Sequence, residues 1–238
     1  MKKLQSFLTV AALFVLIGSQ SIAAEFSAGA DIMSRYVWRG RDYGNSPSIQ
    51  PTVEYSTGNF SAGAWGAFSI DPDVYQELDL YLAYTFAETF TLGVTDYFFP
   101  VYQSNDPTFS HNYFEYDNET TGHILEANLI FEGTESIPIT LAAHIAFYGA
   151  DKNSDGDNNY STYIEAGYAG KLKDTEYNVF LGITPAEGLY GSDFGVVNLG
   201  LTITKEIKFS DSFSMPVTSG VIFNPQDENS FLVFGITL

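Results

Sequence analysis

The feature that most constrains this chain is a rhythm. Segments of about ten residues alternate apolar and polar side chains, each ends in a turn, and the pattern repeats to the C-terminus. A period of two is the period of a strand. Segment 75–86 sets Leu78, Leu80, Leu82, Tyr84 and Phe86 against Glu77, Asp79, Tyr81 and Thr85. Segment 137–149 sets Ile139, Leu141, Ala143, Ile145 and Phe147 against Thr140, His144 and Tyr148. This reading gives about twelve strands: 26–39, 48–56, 60–70, 75–86, 90–101, 121–131, 137–149, 160–169, 176–184, 194–204, 214–223 and 231–238. Beyond residue 24 no stretch approaches the ~18 consecutive apolar residues of a membrane-crossing helix. An even strand count, with short turns alternating with longer acidic loops, predicts an all-β fold: an antiparallel transmembrane β-barrel. A soluble β-sandwich or a lipocalin-like barrel shares the alternation, and periodicity alone does not separate them.

The first residues read differently. Lys2 and Lys3, an apolar run over 7–18 and the small residues of 21–24 have the layout of a cleaved export signal. The expected division is a signal peptide over 1–24, cut after Ala23 or Ala24, and one barrel domain over 25–238. Two of the chain's 10 basic residues lie in that leader, so the remainder holds 8 against 29 acidic, a net charge of about −21. Such a balance excludes nucleic acid as a partner, because phosphate binding needs a basic patch. There is no cysteine, hence no disulfide framework and no thiolate chemistry. An exported chain without disulfides must find its stability elsewhere, and a ring of strands with no open edge supplies it.

One stretch, 31–41, separates charge most sharply. Read with a period of two, Asp31, Arg35, Arg39 and Arg41 share one face, and Ile32, Tyr36 and Trp38 share the other. The expectation is a continuation of the first strand, with Tyr36 and Trp38 forming part of a membrane-interface aromatic belt. The closing segment places Leu232, Phe234, Ile236 and Leu238 on one face. It is similar to the terminal strand of outer-membrane proteins, which serves as a handle for the barrel-assembly machinery, although it ends in Leu rather than an aromatic.

With these residues in view, the chain resembles the TorF-type porin family of bacterial outer-membrane proteins. Ser34-Arg-Tyr-Val-Trp-Arg-Gly40 carries the resemblance, and Glu77-Leu-Asp-Leu-Tyr81, Tyr97-Phe-Phe-Pro100 and Asn224-Pro225 fit the same layout. The resemblance implies a barrel in the outer membrane of a Gram-negative bacterium, with membrane lipid as its surroundings and small solutes as cargo. It implies no particular solute.

In such a barrel ionised side chains face inward, because Arg or Lys facing lipid at mid-bilayer costs about 2–4 kcal/mol. The expected lumen and constriction residues are Asp31, Arg35, Arg39, Glu54, Glu77, Asp79, Glu126 and Glu165, with His144 beside them. Two cations facing several carboxylates allow two readings. One is a transverse field across a pore that passes small polar, including cationic, solutes. The other is a non-conducting barrel filled with ion pairs, serving a structural, receptor or adhesin role. A second candidate is the outer loop over 151–159, where Asp151, Asn153, Asp155 and Gly156 have the opening spacing of a calcium loop. The twelfth position is Thr162 rather than Glu, so a solvated acidic loop explains the same residues. No other cofactor is expected. An enzyme is not expected either: the histidines are His111, His123 and His144, no Gly-x-Ser-x-Gly elbow occurs, and none of the three has a recognisable nucleophile. The oligomeric state has no signature in the alternation.

Overall fold

In the computed structural model residues 24–71, 76–101 and 109–238 are described. Residues 1–23 of the expected leader, most of the turn after Asp71 and the first part of the 102–120 loop lie outside them. Strand formation tracks the alternation closely. The wall begins with β1 (Ala24–Met33); β2 (Val37–Trp38) and β3 (Arg41–Asp42) form a miniature hairpin. The wall resumes with β4 (Ser48–Thr57), β5 (Phe60–Ser69), β6 (Gln76–Phe86), β7 (Phe90–Val101), β8 (His123–Phe131) and β9 (Thr140–Gly149). It is completed by β10 (Thr162–Leu172), β11 (Thr175–Thr184), β12 (Gly195–Ser210), β13 (Phe213–Asn224) and β14 (Asn229–Thr237). Each wall strand pairs antiparallel with its sequence neighbours, and β1 pairs with both β4 and β14, so twelve strands form a closed barrel.

Closure satisfies every strand edge within the ring, which an open sheet cannot do. The weld between β1 and β14 pairs Asp31 with Thr237, Ile32 with Ile236 and Met33 with Gly235. Around it, Leu238 N–H donates to the Ala30 carbonyl at 2.9 Å and Thr237 Oγ1 to Asp31 Oδ1 at 2.6 Å.

The two faces divide as the alternation requires. Leu80, Leu82, Leu92, Val94, Leu129, Leu141, Val179, Leu181, Leu201 and Phe234 are exposed on the outside, whereas Gln50, Glu77, Asp79, Glu126 and Asn198 are buried within. Greasy outside and polar inside inverts the arrangement of a water-soluble barrel, and is the pattern of one surrounded by lipid. At the end with the short turns, exposed aromatic rings collect on the outer surface: Phe26, Tyr84, Phe86, Phe90, Tyr168, Phe209 and Phe213. Several touch, as Phe26 with Tyr55 and Phe90 with both Phe86 and Phe131.

That belt is not where the 31–41 stretch placed one. The first strand ends at Met33 instead of running on to Arg39, and the chain turns into the barrel. Tyr36 is buried, with its ring 5.3 Å from Trp65 and 5.6 Å from Tyr43. Trp38 packs against Tyr97 and Tyr190. The aromatic-belt expectation for Tyr36 and Trp38 is therefore overturned. The physical reason lies in length: a crossing uses about 9–11 residues, and the segment from 26 had spent them before Tyr36. The residues after that crossing are free to fold inward, where three arginines can meet carboxylates.

Candidate functional site

The site is built on that inward hairpin. Its turn is two residues long, Arg39 and Gly40, between the paired Trp38 and Arg41, and both turn residues have positive φ, 50° and 80°. Positive φ at both central positions is what a tight type I′ hairpin needs. Gly40 is required for a second reason. A Cβ at this position would lie 1.9 Å from the Val197 carbonyl oxygen on β12. The turn is pressed against the barrel wall, and Asn224 Nδ2 donates to the Gly40 carbonyl at 3.3 Å.

Arg39 reaches toward β8, on another side of the lumen. Its guanidinium donates to both oxygens of Glu126, Nη1 to Oε2 at 2.6 Å and Nη2 to Oε1 at 2.9 Å. Tyr97 Oη donates to Glu126 Oε1 at 3.0 Å, Tyr190 Oη donates to Oε2, and His144 Nδ1 lies 3.5 Å from Oε1. The guanidinium lies over the rings of Trp38 (4.3 Å), Tyr163 (4.7 Å) and Tyr190 (4.8 Å). The Glu126 side chain is fully buried and that of Arg39 is 8% exposed. Burial by itself would lower the Arg39 pKa, but the hydrogen-bonded Glu126 carboxylate offsets it and holds the group charged. Burial pushes the Tyr190 hydroxyl well above its ordinary value, with the nearby Glu126 carboxylate adding to it, so it stays a neutral donor.

Desolvating such a pair costs several kcal/mol per ion, so the pair's net contribution to stability is small. The pair fixes position. A carboxylate accepting from a bidentate arginine and two tyrosines has one geometry, and it seats the hairpin tip in one place. The other two arginines anchor the flanks. Arg35 pairs with Asp42 and donates to Asn45 Oδ1 at 2.8 Å. Arg41 donates to the Leu189 carbonyl and lies 3.3 Å from Asp227. At the root of the hairpin, burial and the carboxylates of Glu77 and Asp79 push the Tyr36 hydroxyl well above its ordinary value. The segment thus touches β6, β8 and β12 and stands across the lumen at the long-loop end.

The expected lumen residues fall into three groups. Arg39 and Glu126 meet directly. Glu165 is one contact away, accepting from Tyr163 Oη and from Asn198 Nδ2 at 3.1 Å. Glu77 and Asp79 sit buried on β6 near Tyr36, whereas Arg35 is held by Asp42 at the mouth. Asp31 belongs to the weld, and Glu54 accepts from Tyr81 Oη at 2.8 Å nearer the short-turn end. Sequence reasoning missed Gly40, Tyr97, Tyr163, Tyr190, Asn198 and Asn224. Tyr97 and Tyr163 share the inward register of their strands, which was a usable signal; Tyr190 lies in a loop and had none.

The loop over 151–159 does not gather its oxygens. Asp151 is buried, and its two oxygens accept from Ser161 N–H (2.8 Å) and Ser161 Oγ (2.7 Å). Asn153 Oδ1 accepts from the backbone N–H groups of Asp155 and Asp157, both at 3.0 Å. Asp151 and Asn153 thus spend their oxygens on holding the loop in shape, and no cluster of three or more His, Cys, Asp or Glu side chains suited to a metal occurs among the described residues. His123 sits on the outward register of β8 as its strand position implies, yet it is buried. The segment 109–121 covers it, with Nδ1 2.7 Å from Asp96 Oδ1, Nε2 2.8 Å from the Tyr113 carbonyl, and rings of Phe98 and Tyr116 stacked on it.

The fold and the site define a class: a closed twelve-strand barrel, consistent with a bacterial outer-membrane protein, with an internal hairpin seated on a buried ion pair. Residues 18–213 match the family described as bacterial protein of unknown function (Gcw_chp), and the chain belongs to that family. No curated protein matches it.

Proposed function

We propose that this chain is an outer-membrane barrel of the TorF porin type whose passage for small polar solutes is stoppered by its own N-terminal hairpin. The observation that carries this reading is the span of the turn: Arg39 is bonded to Glu126 on β8 while Gly40 rests on Val197 of β12. Nine residues, Ser34 to Asp42, stand where an open channel would need its clearance. The outward apolar surface and the aromatic belt support the membrane placement. So does charge: Lys171, Lys173, Lys205 and Lys208 lie at the short-turn end, whereas the long loops at the other end are acidic.

The reading departs from an always-open pore in one respect. Solute passes when the hairpin tilts or lifts, which uncovers Glu77 and Asp79 beside it and leads on to Glu54. The test is conductance in planar bilayers, wild type beside Gly40→Val, in which the turn cannot seat. Wild type is expected to be closed or to flicker, and the variant to conduct steadily. Equal steady conductance from both would remove the stopper. Silence from both, with the variant folded, would favour the second reading of a receptor or structural barrel, which the filled lumen also supports. A mature chain that stays dissolved without detergent would end the membrane placement itself.

A further inference from the structure

The hairpin does not fill the outer mouth completely. A cavity of about 320 Å³ remains above it, between Trp38 and Arg41 of the hairpin, Tyr97 and Phe99 of β7, and Phe109 of the covering segment. That volume lies at the small end of the range for organic-ligand sites. Its walls are aromatic on several sides. Arg39 covers one face of the Trp38 indole at 4.3 Å, and Tyr97 and Tyr190 meet its ring at 5.3 and 5.8 Å. Trp38 is thus held rigidly while it lines the cavity.

The charges around the cavity are not equivalent. Arg39 is saturated by Glu126 and Arg35 by Asp42. Arg41 is held differently: its Nε lies 3.3 Å from Asp227 Oδ2 without hydrogen-bond geometry, both side chains are 35% exposed, and its Nη1 donates to the Leu189 carbonyl. The three arginines of this chain all lie between Ser34 and Asp42, and of them Arg41 lines the cavity, beside the Asp42 that Arg35 holds. A fork of N–H donors beside stacked rings suits a planar carboxylate attached to a ring.

We propose that this cavity is a binding site for a small aromatic carboxylate, its ring between Trp38 and the β7 aromatics and its carboxylate on Arg41. The inference rests on the stoppered-barrel reading for its role in uptake, and on the cavity alone for binding. Occupancy would place an anion beside Arg41 and compete with Asp227 for it, so binding and release of the hairpin flank are linked.

The experiment uses the full mature chain folded in detergent, in a Trp65→Phe background so that Trp38 is the remaining indole. Benzoate, benzylamine and glucose are titrated against Trp38 fluorescence. Benzoate is expected to give a saturable change, with benzylamine and glucose weaker by about tenfold or more, the scale of one charge-assisted contact. Arg41→Gln should weaken benzoate by a similar factor, and Asp227→Asn, which frees Arg41, should tighten it a few-fold. Unchanged heat-modifiability on gels verifies that each variant is folded. Benzylamine or glucose binding as well as benzoate, an Arg41→Gln variant with wild-type affinity, or no saturable signal from benzoate overturns the site. Conductance read on the same preparations separates the two claims: binding without any conductance keeps the site and removes the transport reading, and steady gating without binding does the reverse.

Discussion

The two halves of this lumen are built on different principles. At the long-loop end, charged and aromatic side chains are buried around one ion pair, and Arg39 and Glu126 depend on each other. At the short-turn end, besides the Glu54–Tyr81 contact, inward hydroxyls and amides pair across neighbouring strands: Thr85 with Thr91 at 2.9 Å, Thr204 with Thr218 at 2.9 Å, and Asn128 Nδ2 donating to Thr95 Oγ1 at 3.0 Å. A more open recess of about 460 Å³, lined in part by Asn178, Thr202 and Thr204, lies there. The lesson is that one half holds a segment in place through a few costly, mutually dependent contacts, whereas the other half is lined by many cheap, local ones.

The sharpest way to break that contrast is Arg39→Ala. It leaves Glu126 buried without its cation, and the expected loss is about 3–5 kcal/mol of stability, read from the denaturant midpoint of the refolded barrel. Replacing both partners, Arg39→Leu with Glu126→Leu, should recover most of that loss while the hairpin loses its fixed seat, so conductance rises as stability returns. If the double variant stays both unstable and closed, the pair is structural and not a positioning device. A smaller effect is expected in the other half. Thr204→Val removes one hydrogen bond of an equivalent pair, costing about 1 kcal/mol, with conductance unchanged. The smallest effect is outside the lumen. Lys205 lies 3.1 Å from Asp174 at the short-turn rim, and its hydrogen bond holds the Asp174 carboxyl below its ordinary value. A lowered carboxyl contributes stability above the ordinary carboxylate range and loses it as pH falls through the lowered value. Because this pair is solvent-exposed, Lys205→Gln should shift the melting curve at neutral pH barely measurably, and the difference should vanish under strong acid.

The wall was legible in the sequence because lipid and lumen impose opposite demands on alternate residues. Leu80 and Leu82 against Glu77 and Asp79 state the answer locally, and most strand bounds agree within a few residues; β1 ends six residues early and β12 runs six residues longer. The hairpin was not legible by the same rule. The stretch 31–41 alternates just as cleanly as a wall strand, since β2 and β3 are strands too, only inside. Two physical signals pointed elsewhere: the segment outran the length of a crossing, and Arg39-Gly40 between Trp38 and Arg41 is suited to a two-residue turn. The pairing of Arg39 with Glu126 joins positions far apart in the chain, and no local pattern encodes that distance. The calcium-like spacing in the outer loop is ambiguous for a related reason, because Asx turns reuse the same Asp and Asn spacing to bond backbone N–H groups.

Ser34 is where the chain leaves the wall, and it is also stitched to the last strand. Its N–H donates to the Phe234 carbonyl at 2.7 Å, and its Oγ accepts from Phe234 N–H at 2.9 Å. The joint that shuts the ring and the hinge of the internal segment are therefore the same residue. Any pull that dislodges the hairpin therefore also tugs on the seam.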